Sequence, residues 1–210
     1  DMLHLQNTRP RGNARTGVAI VMEVATGDVK AMVNMSRADD GNYYELKNNA
    51  LTDILEPGST FKTASLLVAL NDKKISINDS VDAHKGLYKF GTTPMTDHNA
   101  GKPNAYGMLS VPQVLMYSSN VGTARLINEN YKDNPEKFVE GLHRMGLATH
   151  FPLLPGTGRP VIRKPNANKS NWSVTALPWM SIGYETQIAP INIVSFYNAI
   201  ANDGKMMKPY

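Results

Sequence analysis

The stretch Glu56-Pro57-Gly58-Ser59-Thr60-Phe61-Lys62 opens a run that stays apolar to Asn71: Phe61, Ala64, Leu67 and Val68, with Leu66 and Leu70 beside them. An amphipathic surface helix carries one apolar stripe; this run is apolar most of the way round, which predicts a buried helix over 60–71. Gly58 and Ser59 stand where its N-terminus should lie. Ser59 and Lys62 are three residues apart, so a helix beginning at Ser59 puts both on one face within one turn. A serine hydroxyl is a poor nucleophile until a base takes its proton. A lysine becomes that base when burial disfavours its charged form. The Ser59 amide, at the positive end of the helix dipole, could steady an oxyanion on a carbonyl that Ser59 attacks. The spacing alone is common, and a serine at a helix start is ordinarily a cap. Two features favour chemistry here. This is the sequence's one Ser-x-x-Lys, and an unpaired charge on an apolar helix is costly.

A second pattern, Ser-x-Asn, occurs at Ser76-Ile77-Asn78 and at Ser118-Ser119-Asn120. In extended chain, residues two apart point the same way, so a hydroxyl and an amide would face one cleft. Ser76 lies beyond the far end of the 60–71 helix and reads as turn chemistry. Ser118 and Asn120 fall between two apolar helical segments, 111–120 and 121–130, where buried polar groups need partners. On the pattern alone a helix cap is the stronger reading of them.

Around these motifs the chain alternates between signals. Val18 to Val24 and Val29 to Val33, joined by Thr26-Gly27-Asp28, predict an antiparallel hairpin. The first of these strands is nearly apolar on both faces, which predicts a central, covered position. Residues 36–58 read as loop with a short helix near 46–54, and 72–109 as polar and turn-rich. Residues 135–145 read as a helix and 151–178 as a long irregular connection. A final amphipathic helix is expected over 190–202, with Ile191, Val194, Tyr197 and Ile200 inward and Gly204 just past its end. Residues 1–16, with Arg9, Arg11 and Arg15, read as a solvated arm or loop. One hairpin cannot form a stable sheet, so further strands lie either within 72–109 or after residue 210.

Composition narrows the classes. The 210 residues are 41% hydrophobic with a net charge of +4, too weakly basic to argue for nucleic acid. The absence of cysteine excludes thiol catalysis, disulfides and Cys-bound zinc, and suits an oxidising compartment. The longest apolar runs, Val18–Met22 and Leu66–Leu70, are far shorter than a membrane span. The five histidines, His4, His84, His98, His143 and His150, lack metal-ligand spacing and read as ordinary residues. Asp97-His98 has no Gly-x-Ser-x-Gly elbow to complete a serine triad. Asp39-Asp40 and Asp79 with Asp82 read as loop carboxylates. Arg159, Arg163, Lys164 and Lys169 read as a solvated basic loop, and Trp172 and Trp179 as core, with a cleft wall as the other possibility.

Taken together, these residues resemble the transpeptidase domain of class B penicillin-binding proteins, of the division-specific FtsI type. Ser-x-x-Lys and Ser-x-Asn belong to that superfamily's signature. The likeness extends through the 18–33 hairpin and the run from Asn48-Asn49-Ala50 to Lys62. It continues through Leu115 to Gly122, Ser181-Ile182-Gly183-Tyr184, Ala189-Pro190 and Ala199 to Lys205. It implies an α+β, penicillin-binding-protein/serine β-lactamase-like fold, an antiparallel sheet flanked by helices, with 17–210 as a partial transpeptidase domain. The third signature, Lys-Thr-Gly, is absent. The resemblance places it after the Gly204-Lys205 region, so the chain is expected to stop short of the C-terminal strands and to be weak or inactive alone.

The resemblance also implies roles. Ser59, Lys62 and Ser118 would be catalytic, as nucleophile, base and proton relay, and Asn120 would hold a substrate carbonyl. Ser119 receives no role. The implied activity is D,D-transpeptidation of peptidoglycan stem peptides ending in D-Ala-D-Ala, with β-lactams acylating Ser59, no cofactor and no metal. The implied partners are division-complex membrane proteins and not nucleic acid. The implied location is the periplasmic side of an inner membrane, held by an anchor outside this chain. A serine β-lactamase, a penicillin sensor and a non-catalytic scaffold module of a division complex are the other readings.

Overall fold

The computed structural model describes residues 14–166, 168 and 170–210. Most of the expected N-terminal arm, residues 1–13, lies outside them. The chain divides into two compact units. One holds the described residues up to Leu55 with Gly146–Pro160 and Ile188–Tyr210; the other holds Glu56–Met145 and Val161–Gln187.

In the first unit the expected hairpin forms. Strand β1 (Thr16–Met22) pairs antiparallel with β2 (Val29–Arg37), with Val18 opposite Asn34 and Val21 opposite Ala31. The turn closes through Gly27 N–H to the Glu23 carbonyl at 2.9 Å and Asp28 N–H to Thr26 Oγ1 at 3.2 Å. A third short strand, β3 (Tyr43–Tyr44), pairs with β2, so the order is β1-β2-β3. Among the described residues the expectation of a central, two-sided β1 is not met. The middle strand is β2, and Val21 and Val33 lie open on one face, Val21 at 57% exposure. The strand pleat decides this: Ile20, Met22, Val29 and Met32 go to the covered face, where they pack around Leu51, Phe151, Ala189 and Ile191.

Two helices of this unit supply that cover: α1 (Asn49–Thr52), within the 46–54 window, and the C-terminal helix over Pro190–Ala201. The buried face of the latter is Ile191, Asn192, Ser195, Phe196, Asn198 and Ala199, whereas Tyr197 and Ile200 are exposed and Val194 is half-buried. The expected inward stripe was therefore rotated. Its polar members are satisfied internally: Asn192 Nδ2 donates to the Thr149 carbonyl at 2.7 Å, Asn198 Nδ2 to Val24 at 3.2 Å and Ser195 Oγ to Ile191 at 2.8 Å. Small polar residues that find backbone acceptors can face inward without the penalty that a hydropathy pattern assumes. Gly204 closes this helix in the left-handed region, donating to Ala199 at 2.8 Å.

The second unit is mostly helical. A 3₁₀ turn (Gly58–Phe61) leads into α2 (Lys62–Asn71), whose Ala64, Ser65, Leu66, Val68 and Ala69 are buried. Next come α3 (Val111–Met116), α4 (Asn120–Tyr131), α5 (Pro135–Arg144) and α6 (Ala176–Ser181). Helix α2 packs on α4 and α5, and α4 packs on α6. The turn-rich stretch 72–109 hides the strands anticipated there as one of two possibilities. These are β4 (Ser80–Asp82) paired with β7 (Met108–Ser110), and β5 (Leu87–Phe90) paired with β6 (Thr93–Thr96). They are too short to show periodicity. The 151–178 connection carries one two-residue strand, β8 (Val161–Ile162), paired with β9 (Thr186–Gln187). Trp179 meets Phe90 edge-on at 6.1 Å. Trp172 lines a cavity of about 260 Å³ with Asn128, Lys132 and Leu177.

The α2–α5 crossing depends on Gly141. A Cβ there would stand 2.4 Å from Val68 Cγ1 and 3.0 Å from Cγ2. Alanine gains up to ~1 kcal/mol of helix propensity, but overpacking costs about 1–3 kcal/mol. Gly141→Ala is thus expected to lower the chemical-denaturation midpoint; an unchanged or raised midpoint would contradict the crossing.

Candidate active site

Ser59 sits in the 3₁₀ turn with its side chain exposed. Three hydrogen bonds tie this turn and its flanks to the segment Ser181 to Glu185: Gly58 N–H of the turn to the Gly183 carbonyl at 3.1 Å, Glu185 N–H to Glu56 Oε1 before it at 3.0 Å and Ser65 Oγ of α2 to the Ser181 carbonyl at 2.8 Å. Thr60 Oγ1 donates to Pro57 at 2.8 Å. The nucleophile turn is therefore clasped from outside its own helix, a role that the Ser181-Ile182-Gly183-Tyr184 likeness did not reveal.

Lys62 begins α2 and is fully buried, as its apolar helix implied. Its Nζ donates to the Ser118 carbonyl at 2.6 Å, to Ser118 Oγ at 3.0 Å and to Asn120 Oδ1 at 2.6 Å. Three acceptors match an ammonium's three protons. Burial lowers the Lys62 pKa from 10.5 to about 8, and the nearby charge of Asp97 opposes that fall. An amine of this kind is charged at neutral pH yet within easy reach of its neutral, basic form.

Ser118 lies where α3 reverses. Its own N–H reaches the Leu115 carbonyl and that of Ser119 reaches Val114, both at 3.0 Å, while Ser118 takes φ +51°. Glycine usually fills such a helix-end position; a serine held there puts its hydroxyl on Lys62 with its outer side exposed. Asn120 starts α4. Its Oδ1 is engaged by Lys62 and one Nδ2 hydrogen by the Thr96 carbonyl at 2.9 Å, which leaves the second amide hydrogen for an incoming acceptor. Four expected residues are thus in one unit, three of them joined directly through Lys62 and Ser59 on the same turn. Ser76 stays in its own turn, bonded to Asp79 and Asn78.

Two residues carry more than the sequence reading gave them. Ser119 is the buried N-cap of α4, accepting from Gly122 N–H at 2.9 Å. Its hydroxyl donates to Asp97 Oδ2 at 2.7 Å. Asp97, weighed only as a triad acid, is buried and also accepts from Asn120 N–H at 2.5 Å and Val121 N–H at 3.0 Å. The one sequence signal for it is a lone acid in the otherwise uncharged stretch 91–97. His98 and Tyr106 stack edge-on at 5.7 Å, and Tyr106 lies flat on Tyr117 at 5.0 Å, beside Ser118 in sequence.

A family model described as penicillin binding protein transpeptidase domain matches residues 17–210. The chain is 26% identical over 200 residues to a protein named probable peptidoglycan D,D-transpeptidase PenA from Neisseria gonorrhoeae, covering 92% of this chain and 32% of that protein. It is 31% identical over 219 residues to peptidoglycan D,D-transpeptidase FtsI from Buchnera aphidicola, covering 98% of this chain and 35% of that one. The chain spans about a third of the length of the curated relatives it matches. Among solved structures, the apo transpeptidase domain of Burkholderia pseudomallei penicillin-binding protein 3 superposes with a TM-score of 0.76 at 28% identity, covering 93% of this chain and 53% of that one. The α+β fold expected from the resemblance is the fold of that domain. A matched region running from β1 to the last residue, with Ser59 and Lys62 on one turn, makes this chain a member of the penicillin-binding protein transpeptidase domain family.

Proposed function

We propose that this chain carries the acylating machinery of a serine-type peptidoglycan D,D-transpeptidase. The observation that supports the reading most is the buried Lys62 amine, one turn from Ser59 and bonded to both Ser118 and Asn120. In this reading neutral Lys62 Nζ takes the Ser59 proton as Oγ attacks the penultimate D-Ala carbonyl. The C–N bond to the terminal D-Ala breaks, and that amine leaves with a proton delivered through Ser118. An acceptor amine then attacks the ester, the cross-link forms and Ser59 regains its proton. The Ser59 amide, in the first turn where N–H groups lack helical partners, serves the oxyanion, and the second Nδ2 hydrogen of Asn120 grips the donor's amide carbonyl. β-Lactams offer a strained amide to the same Ser59.

The division-type assignment follows the names of the relatives, and with it a periplasmic location and contacts with division-complex membrane proteins. Residues 17–210 are a partial domain in this reading, completed by a Lys-Thr-Gly strand after residue 210. Intact-mass spectrometry of the full-length protein with a penicillin should show one stable adduct on Ser59, absent in Ser59→Ala. A wild type without an adduct overturns the reading.

The Lys62 pKa predicts the pH profile. The protonated amine cannot accept a proton, so acylation is slow below the pKa and rises with pH until it levels off. With a pKa of about 8, the rate constant should climb close to tenfold per pH unit between pH 6 and 7. A profile flat over that range would remove Lys62 as the base.

A further inference from the structure

The carboxylate of Asp97 is more than 90% buried, and nothing in the reaction outlined above uses it. Its oxygens gather three donors from the start of α4: Ser119 Oγ, Asn120 N–H and Val121 N–H. An anion is favoured at a helix N-terminus, where N–H groups lack partners and the dipole is positive. Here the anion comes from another element, immediately after β6, and it grips the three residues that follow Ser118. Thr96, next to Asp97, takes the Nδ2 of Asn120. Both ends of the asparagine, backbone and side chain, are thereby held by residues 96 and 97. Ser119, with its hydroxyl between Asp97 and Gly122 N–H, links the carboxylate to the helix interior.

Resting on the transpeptidase reading, we propose that Asp97 is a positioning residue for acylation: its carboxylate locks the first turn of α4, holding Ser118 in its left-handed conformation and keeping Ser118 Oγ and Asn120 Oδ1 on Lys62. Ser118 is followed directly by the residues that Asp97 holds, and its φ of +51° is one that serine adopts only when its surroundings impose it. Asp97 is also the titratable group whose charge acts on Lys62; the side chains touching the amine, Ser118 and Asn120, are neutral. The middle residue of the Ser-x-Asn motif gains a role as well, as the hydroxyl through which the clamp reaches the helix.

The test is acylation of the full-length protein by a fluorescent penicillin across pH 5.5–9, for wild type, Asp97→Asn and Ser119→Ala, with melting temperatures recorded alongside. Asp97→Asn keeps the size but turns an acceptor facing three donors into a neutral amide. Its plateau rate should fall about 30-fold or more, as displaced catalytic groups do, and the midpoint of its acid limb should move to lower pH, because the charge favouring the ammonium is gone. Ser119→Ala, which changes no charge, should lose about threefold to tenfold in plateau with the limb unmoved. A folded Asp97→Asn within threefold of wild type overturns the proposal. So does a plateau that falls only in step with the melting temperature while the limb stays in place. If Asp97→Asn does not fold, Ser119→Ala decides: a rate within twofold of wild type overturns the proposal, and the stated loss supports it. A wild type that takes up no penicillin fails the functional reading itself, which separates that outcome from a failure of Asp97's role.

Discussion

Lys62→Met is expected to acylate Ser59 at least about 1000-fold more slowly than wild type, while folding as well as the parent or better. The rate loss follows from what the amine does. General-base catalysis contributes about 100–10,000-fold, and Lys62 also ties Ser118 and Asn120 to the nucleophile's turn, so one substitution removes a base and loosens a relay. The stability expectation runs the other way. A group whose pKa falls from 10.5 to about 8 on folding binds its proton less tightly in the folded state. Holding the ammonium at pH 7 therefore costs the fold roughly 3 kcal/mol. Methionine fills a similar volume without a charge, although Ser118 and Asn120 lose a donor, which offsets part of the gain.

The sign can be checked by titration. Wild type should gain stability as pH rises from about 8 towards 10.5, where the unfolded chain still binds the proton that the folded chain has released. Lys62→Met should lack that gain, so its advantage is largest at pH 7 and shrinks above 8. The measurements are the fluorescent-penicillin time course and melting temperatures at pH 7 and 9.5. An acylation rate within tenfold of wild type removes Lys62 from the mechanism. A melting temperature well below wild type at pH 7 would show that its hydrogen bonds outweigh its desolvation.

What could be read in the sequence was what is encoded within a few residues. Ser59 and Lys62 are legible because one helical turn brings them together, and the apolar run to Asn71 announces the burial that tunes the amine. Ser118 and Asn120 are legible for the same local reason. Asp97 is not: its importance rests on bonds to residues 22–24 positions later, and no spacing rule spans an intervening loop, strand and helix. The strands of 72–109 were obscured by chemistry suited to small sheets, such as Thr93-Pro94-Met95-Thr96, where Pro94 sits opposite Lys89 on a two-stranded ribbon. The rotated face of Pro190–Ala201 went astray because Asn192, Ser195 and Asn198 are inward and satisfied. Hydropathy ranks such residues as outward, and only the partner carbonyls reverse that ranking.

Gly183→Ala should damage the site badly, from a position that bears no reactive group. Gly183 has φ +88°, and a Cβ built there would lie 2.0 Å from the Gly58 carbonyl oxygen, 2.6 Å from its carbon and 2.7 Å from its nitrogen. Those are backbone atoms of the residue before Ser59, so no side chain can swing away to make room. The peptide must move, and with it the bond from Gly58 N–H to the Gly183 carbonyl that seats the turn. A shift of about 1 Å in a reacting group costs on the order of 100-fold, and the positive φ adds about 1–2 kcal/mol of strain. Acylation should therefore fall more than about 100-fold, with a melting temperature several degrees lower. Gly58→Ala isolates the steric part. Gly58 also has a positive φ, +57°, but a Cβ there meets nothing within 4 Å. That variant should carry the backbone strain without the collision and keep its acylation rate within about tenfold of wild type. If Gly183→Ala acylated within fivefold of wild type, the clasp between Glu56–Ser59 and Ser181–Glu185 would have no part in seating the nucleophile.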